Sequence, residues 1–82
     1  MGDKVMQAVL SGQQDKNIKF NDLRRLLLRL GFNERVRGDH FIFKAADICE
    51  RINIQPDNAM AKGYQVRQVR TIIQKYRLDR RR

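Results

Sequence analysis

Arg35-Val36-Arg37-Gly38-Asp39-His40-Phe41-Ile42-Phe43-Lys44 is the stretch that decides the fold. It alternates with a period of two, breaks at Gly38-Asp39 and resumes at His40. Gly-Asp between two alternating runs is a strong hairpin signal, because the central positions of a primed turn need φ > 0 or must tolerate it. The second strand sends Phe41 and Phe43 to one face and His40, Ile42 and Lys44 to the other. Large aromatics belong in a core, so His40 is expected on the open face, at the mouth of the turn, near Arg35, Arg37 and Asp39.

Working outward, residues 48–54 read as a third strand with Ile48, Ile52 and Ile54 in phase. Residues 45–47 form the turn before it, and residues 55–63, with Pro56, Asp57, Asn58 and Gly63, read as loop. On the N-terminal side, Phe20, Leu23, Leu26, Leu27 and Leu30 recur on one face of a helix over residues 21–30. Asn21 is its expected cap, Asp22 its dipole partner and Gly31 its terminator. Leu28 lies off that face; the economical expectation is that it receives the first helix, over residues 3–10, and the alternative is a contact with a partner. There Val5 and Met6 pair with Val9 and Leu10 at i, i+4, with Asp3 as cap and Gly12 as terminator. Residues 11–19 are a polar linker. The last helix, over residues 65–78, buries Val66, Val69, Ile72, Ile73 and Tyr76, while Arg67, Arg70, Gln74 and Arg77 form a second stripe. The order is α-α-β-β-β-α, an α+β domain with helices on one side of a three-stranded antiparallel sheet.

Eighty-two residues make one small domain, over residues 1–82, too small for an enclosed substrate pocket. No apolar run reaches the ~18–20 residues of a membrane span, and the Met1-Gly2-Asp3-Lys4 start lacks the apolar segment of a secretory signal. One cysteine, Cys49, makes no internal disulfide and suits a reducing cytoplasm. One Cys with one His does not supply the three or four ligands of a zinc site, and no metal or other cofactor is expected. The net charge is +9. Residues 31–54 balance at zero, with four basic and four acidic side chains, whereas residues 55–82 carry +6. A neutral sheet with basic helices points to a polyanion, nucleic acid first and an acidic protein second.

The run Asp15-Lys16-Asn17-Ile18-Lys19-Phe20, continuing through Leu23-Arg24-Arg25-Leu26-Leu27 to Leu30-Gly31-Phe32 and the hairpin, resembles the HicA family of toxins. Residues 54–57 and the segment from Lys62-Gly63-Tyr64 to Arg70 are similar to one branch of it. The resemblance covers roughly residues 15–78. It implies a double-stranded-RNA-binding-like α-β-β-β-α fold with an extra N-terminal helix, over residues 1–14. It also implies cleavage of messenger RNA and a partner antitoxin of the HicB family. The family motif is a glycine, usually a serine, then the catalytic histidine at the start of the second strand. Gly38 and His40 match it, while Asp39 stands at the serine position and Phe41 where a further histidine is common.

The residues themselves point the same way. Metal-independent RNA cleavage needs a group that takes a proton from the 2′-hydroxyl, one that returns a proton to the leaving oxygen, and cations for the phosphate. Histidine, with an ordinary pKa near 6.5, suits the proton transfers. Arg35, Arg37 and Lys62 are the candidate phosphate ligands at the site, and Arg67 and Arg70 candidate RNA contacts on the last helix. Gly38 and Asp39 shape the turn, and the Asp39 carboxylate is placed to modulate the histidine, with Arg35 and Arg37 holding it. No Ser-His-Asp set, paired carboxylates or glycine-rich phosphate loop is present. Two alternatives stay open: a non-catalytic RNA-binding module of the same fold, and a helix-turn-helix DNA binder, against which the central strands argue.

Overall fold

The computed structural model describes residues 3–80, with the Asp3 side chain outside that description, so its expected capping role also lies outside. The elements are α1 (Asp3–Ser11), α2 (Phe20–Arg29), β1 (Asn33–Arg37), β2 (His40–Ala45), β3 (Ile48–Ile54) and α3 (Gly63–Tyr76). A single 3-10 turn, Leu78–Arg80, follows α3. The strands form one antiparallel sheet in the order β1-β2-β3. The chain is therefore a small α+β domain, as the patterning predicts. No helix among the described residues is long and apolar enough to cross a membrane.

The hairpin turns at Gly38-Asp39, with Arg37 paired to His40. Only Gly38 has positive φ, +60°, so the turn is of the II′ kind rather than one with both central residues left-handed. One sheet face carries Phe43, Ile52 and Ile54, all fully buried beneath the helices, with Phe41 half-buried beside them. Phe20 meets Phe41 edge to face at 4.8 Å, which fastens α2 to β2. From α2 come buried Leu23, Leu26 and Leu27, and from α3 Val66, Val69, Ile72 and Ile73. Val9 of α1 is fully buried, and Val5, Met6, Ala8 and Leu10 pack half-buried against the common core. Leu28 does not receive α1: it stays 39% exposed while α1 docks against α2 and α3 through the common core.

The helix ends show where local signals hold and where distant residues replace them. Gly31, at φ +98°, ends α2 in a Schellman arrangement: its N–H bonds the Leu28 carbonyl and the Phe32 N–H bonds that of Leu27. The other end is not capped by Asn21, which lies inside the helix. Lys19 precedes the first turn without a side-chain cap, and the Phe20 N–H donates instead to the carbonyl of Ala59 at 3.0 Å. A tight turn over residues 57–60 presents that carbonyl, and the Ala61 N–H returns a bond to Ile18. At α3 the helix starts two residues earlier than its pattern suggests, because the Gln65 side-chain oxygen accepts the Lys62 N–H and so satisfies the entry. Arg77 in the left-handed conformation ends it, and Leu78 is buried by the following 3-10 turn rather than by the helix.

Candidate functional site

His40 opens β2 on the sheet face turned away from the helices, and half of its side chain is exposed. Its ring is held from two sides. Nδ1 lies 3.4 Å from Oδ1 of Asn53, which β3 carries one strand over, and Nε2 lies 3.8 Å from Oδ1 of Asp39. An amide oxygen only accepts, so the Asn53 contact suits the tautomer with the proton on Nδ1, in which Nε2 carries the lone pair. That nitrogen is the one a general base uses. Arg37 is the cross-strand partner of His40, so both side chains stand on the same face, and Arg35 stands beyond it opposite Ile42.

The Asp39 carboxylate is not held by Arg35 or Arg37 as the sequence suggests. Its Oδ2 accepts a 2.8 Å bond from Nε2 of Gln55, just past the end of β3. That bond is the main reason its pKa lies below the usual carboxylate value, helped by its own backbone N–H and by the charges of His40 and Lys62. Asp39 is therefore ionised across the neutral range. Lys62, the residue just before α3, lies close enough for its charge to act on Asp39, while Gly38 and Asp39 form the turn and Arg37 pairs with His40.

The two helix arginines separate from this group. Arg70 is not a free cation: it donates to Oδ1 and Oδ2 of Asp15 at 2.8 and 3.2 Å and to the Val9 carbonyl at 3.0 Å. Its guanidinium thus caps the C-terminal end of α1 and clamps the linker, and the Asp15 pKa falls chiefly through that hydrogen bond. Arg67 is exposed over the first turn of α3, against Gly63, where its charge acts on Asp15. The expected basic stripe is thus broken by a structural ion pair.

Asn53 and Gln55 enter the site only through strand pairing. Register puts Phe41 opposite Ile54 and Ile42 opposite Asn53, which sets the end of β3 beside the hairpin turn. The in-phase isoleucines already place Asn53 on the open face. What they do not reveal is which β2 residue it meets. Compared with known proteins, the chain matches no family model, no curated protein and no solved structure.

Proposed function

We propose that this protein is a metal-independent endoribonuclease, the HicA-like toxin of a toxin–antitoxin pair. It would cleave messenger RNA in the cytoplasm and be held in check by a HicB-like antitoxin. The observation that carries the proposal is the setting of His40: half-exposed, opposite Arg37, with Asn53 beside Nδ1 and no direct hydrogen bond to Nε2, 3.8 Å from the Asp39 carboxylate. The order α2-β1-β2-β3-α3, with α1 added in front, supports a double-stranded-RNA-binding-like fold, and the net charge of +9 supports a polyanionic substrate.

In this reading neutral His40 takes the 2′-hydroxyl proton on Nε2 as the 2′-oxygen attacks the adjacent phosphorus. The P–O2′ bond forms, the P–O5′ bond breaks, and a 2′,3′-cyclic phosphate results. The imidazolium then returns the proton to the leaving 5′-oxygen. Arg37, across the strand pair from His40, and Lys62, whose charge reaches Asp39, offset the charge that builds on the phosphoryl oxygens.

One observation favours the second reading, a non-catalytic RNA-binding module. The Asp39 carboxylate sits 3.8 Å from Nε2, the nitrogen the chemistry requires, where the family motif has a neutral serine. Incubation with RNA in chelator separates the two readings. The native protein is expected to release cyclic-phosphate products, and His40→Ala, folded by circular dichroism, to lose about 10²–10⁴-fold in rate. A shifted band without products would leave only the binding module. Undiminished cleavage by folded His40→Ala would remove His40 from the chemistry.

A further inference from the structure

Residues 31–54 are neutral in sum, yet the fold sorts their charges. Glu34 and Glu50 point to the helix side. There Glu34 is forked by Nε and Nη2 of Arg24, and Glu50 takes 2.6 Å bonds from Lys75 and from the Tyr76 hydroxyl. Asp39 and Asp47 occupy the two turns. The four cations, Arg35, Arg37, Lys44 and Arg51, all line one shallow concavity on the open face around Ile42. None of the four has an acidic partner among the described residues. Glu34 reaches the rim of that concavity, but its carboxylate is already neutralised by Arg24.

We infer that this open sheet face is the track for the phosphate backbone of single-stranded RNA, running from His40 along β2 toward Lys44 and Arg51. The inference rests on the ribonuclease reading above and adds the substrate's path and strandedness. The distance from His40 to Lys44 along the strand is about 13 Å at ~3.3 Å per residue, so the track spans only a few nucleotides. The concavity is lined by no aromatic ring, so it grips backbone charge rather than stacked bases. Cleavage also requires the 2′-oxygen to come into line with the P–O5′ bond. A base-paired strand holds it out of line, whereas a single strand is free to swing there.

The test uses a short fluorescein-labelled oligouridylate and the His40→Ala protein, so that the probe is not cut during titration. Introducing Lys44→Gln with Arg51→Gln is expected to flatten log K against log salt by about 1.4, at ~0.7 for each phosphate of a single strand that is no longer neutralised. Arg35→Gln with Arg37→Gln, at the other end of the track, should do the same, and Arg25→Gln on α2 should change nothing. The same strand annealed to its complement should bind more weakly. An unchanged slope in both pairs overturns the track while leaving cleavage by the native protein intact. Equal or tighter binding of the duplex overturns the strandedness. Failure of the native protein to bind RNA at all overturns both the track and the ribonuclease reading. If the paired variants keep RNA but lose poly-L-glutamate, the face serves an acidic protein and the proposal falls.

Discussion

Replacing Arg70 by Met should destabilise the domain rather than weaken RNA binding. Its guanidinium makes three bonds, two to the Asp15 carboxylate and one to the Val9 carbonyl, and the two side chains are only 18% and 15% exposed. A methionine keeps most of the stem's packing but leaves a largely covered carboxylate and a helix-terminal carbonyl without a donor. Hydrogen bonds to charged groups contribute ~1.5–3 kcal/mol each, and they do not add when shared by one group. With water reaching the edge of the pair, the net loss is about 2–3 kcal/mol, or roughly 10–20 °C in Tm for a domain of this size. Thermal unfolding followed by circular dichroism reads this directly. In a cycle with Asp15→Asn, the double variant should cost less than the sum of the singles by about 1–2 kcal/mol, because no charge is then stranded. The sign with pH follows from the lowered Asp15 pKa. The pair contributes fully above the unfolded value of 3.8 and is lost as pH falls through the lower folded value. Arg70→Met should therefore lose stability less steeply in acid. A drop in Tm under ~4 °C, or additive single changes, would refute the clamp.

The remaining expectations concern the turn and the far edge of the sheet. Asp39→Ser removes a carboxylate that is ionised at neutral pH beside His40, so RNA binding and cleavage should rise several-fold at low ionic strength, with the gain shrinking as salt screens it. Filter binding and initial rates across a salt series check this, and equal values at all salts would confine Asp39 to shaping the turn. Glu50 is held at a pKa of about 2 by its bonds from Lys75 and then Tyr76. Its contribution is present above the unfolded value of 4.5 and fades as pH falls toward about 2. Glu50→Gln should accordingly flatten the stability profile between those limits, measured by urea unfolding, and parallel profiles would show that the bonds to α3 contribute nothing.

Most of the sheet is legible because its signals are local. Gly38 specifies the turn, the period of two sets the faces of Phe41 and Phe43, and the isoleucine spacing gives the bounds of β3. The Schellman end of α2 is equally local, being carried by Gly31 and Phe32. Four features escape because each depends on a distant partner. The α2 entry is satisfied by Ala59, some forty positions away, so the nearby Asn21 is redundant as a cap. Arg70 reads as a surface cation because helical spacing counts charges without showing that Asp15 lies beneath one of them. Asn53 meets His40 only through the register of two strands. The charge of the open face is hidden by a sum of zero, since glutamates at inward positions and aspartates in the turns cancel the outward cations on paper but not in space.

The reliance of the N-terminal helices on later residues also orders assembly in time. The Val9 carbonyl and Asp15 wait for a side chain 61 and 55 positions further along, and the first turn of α2 waits for the loop at residues 57–61. A chain growing from its N-terminus has therefore made α1 and α2 long before their ends can be satisfied. Such short helices are marginal alone in water. The hairpin and β3, joined by two-residue turns, close over short loops and can form first. Docking of α1 then becomes a late event that requires α3 to be complete, so a chain stopped before Arg70 should hold its sheet-forming segment but not its first helix.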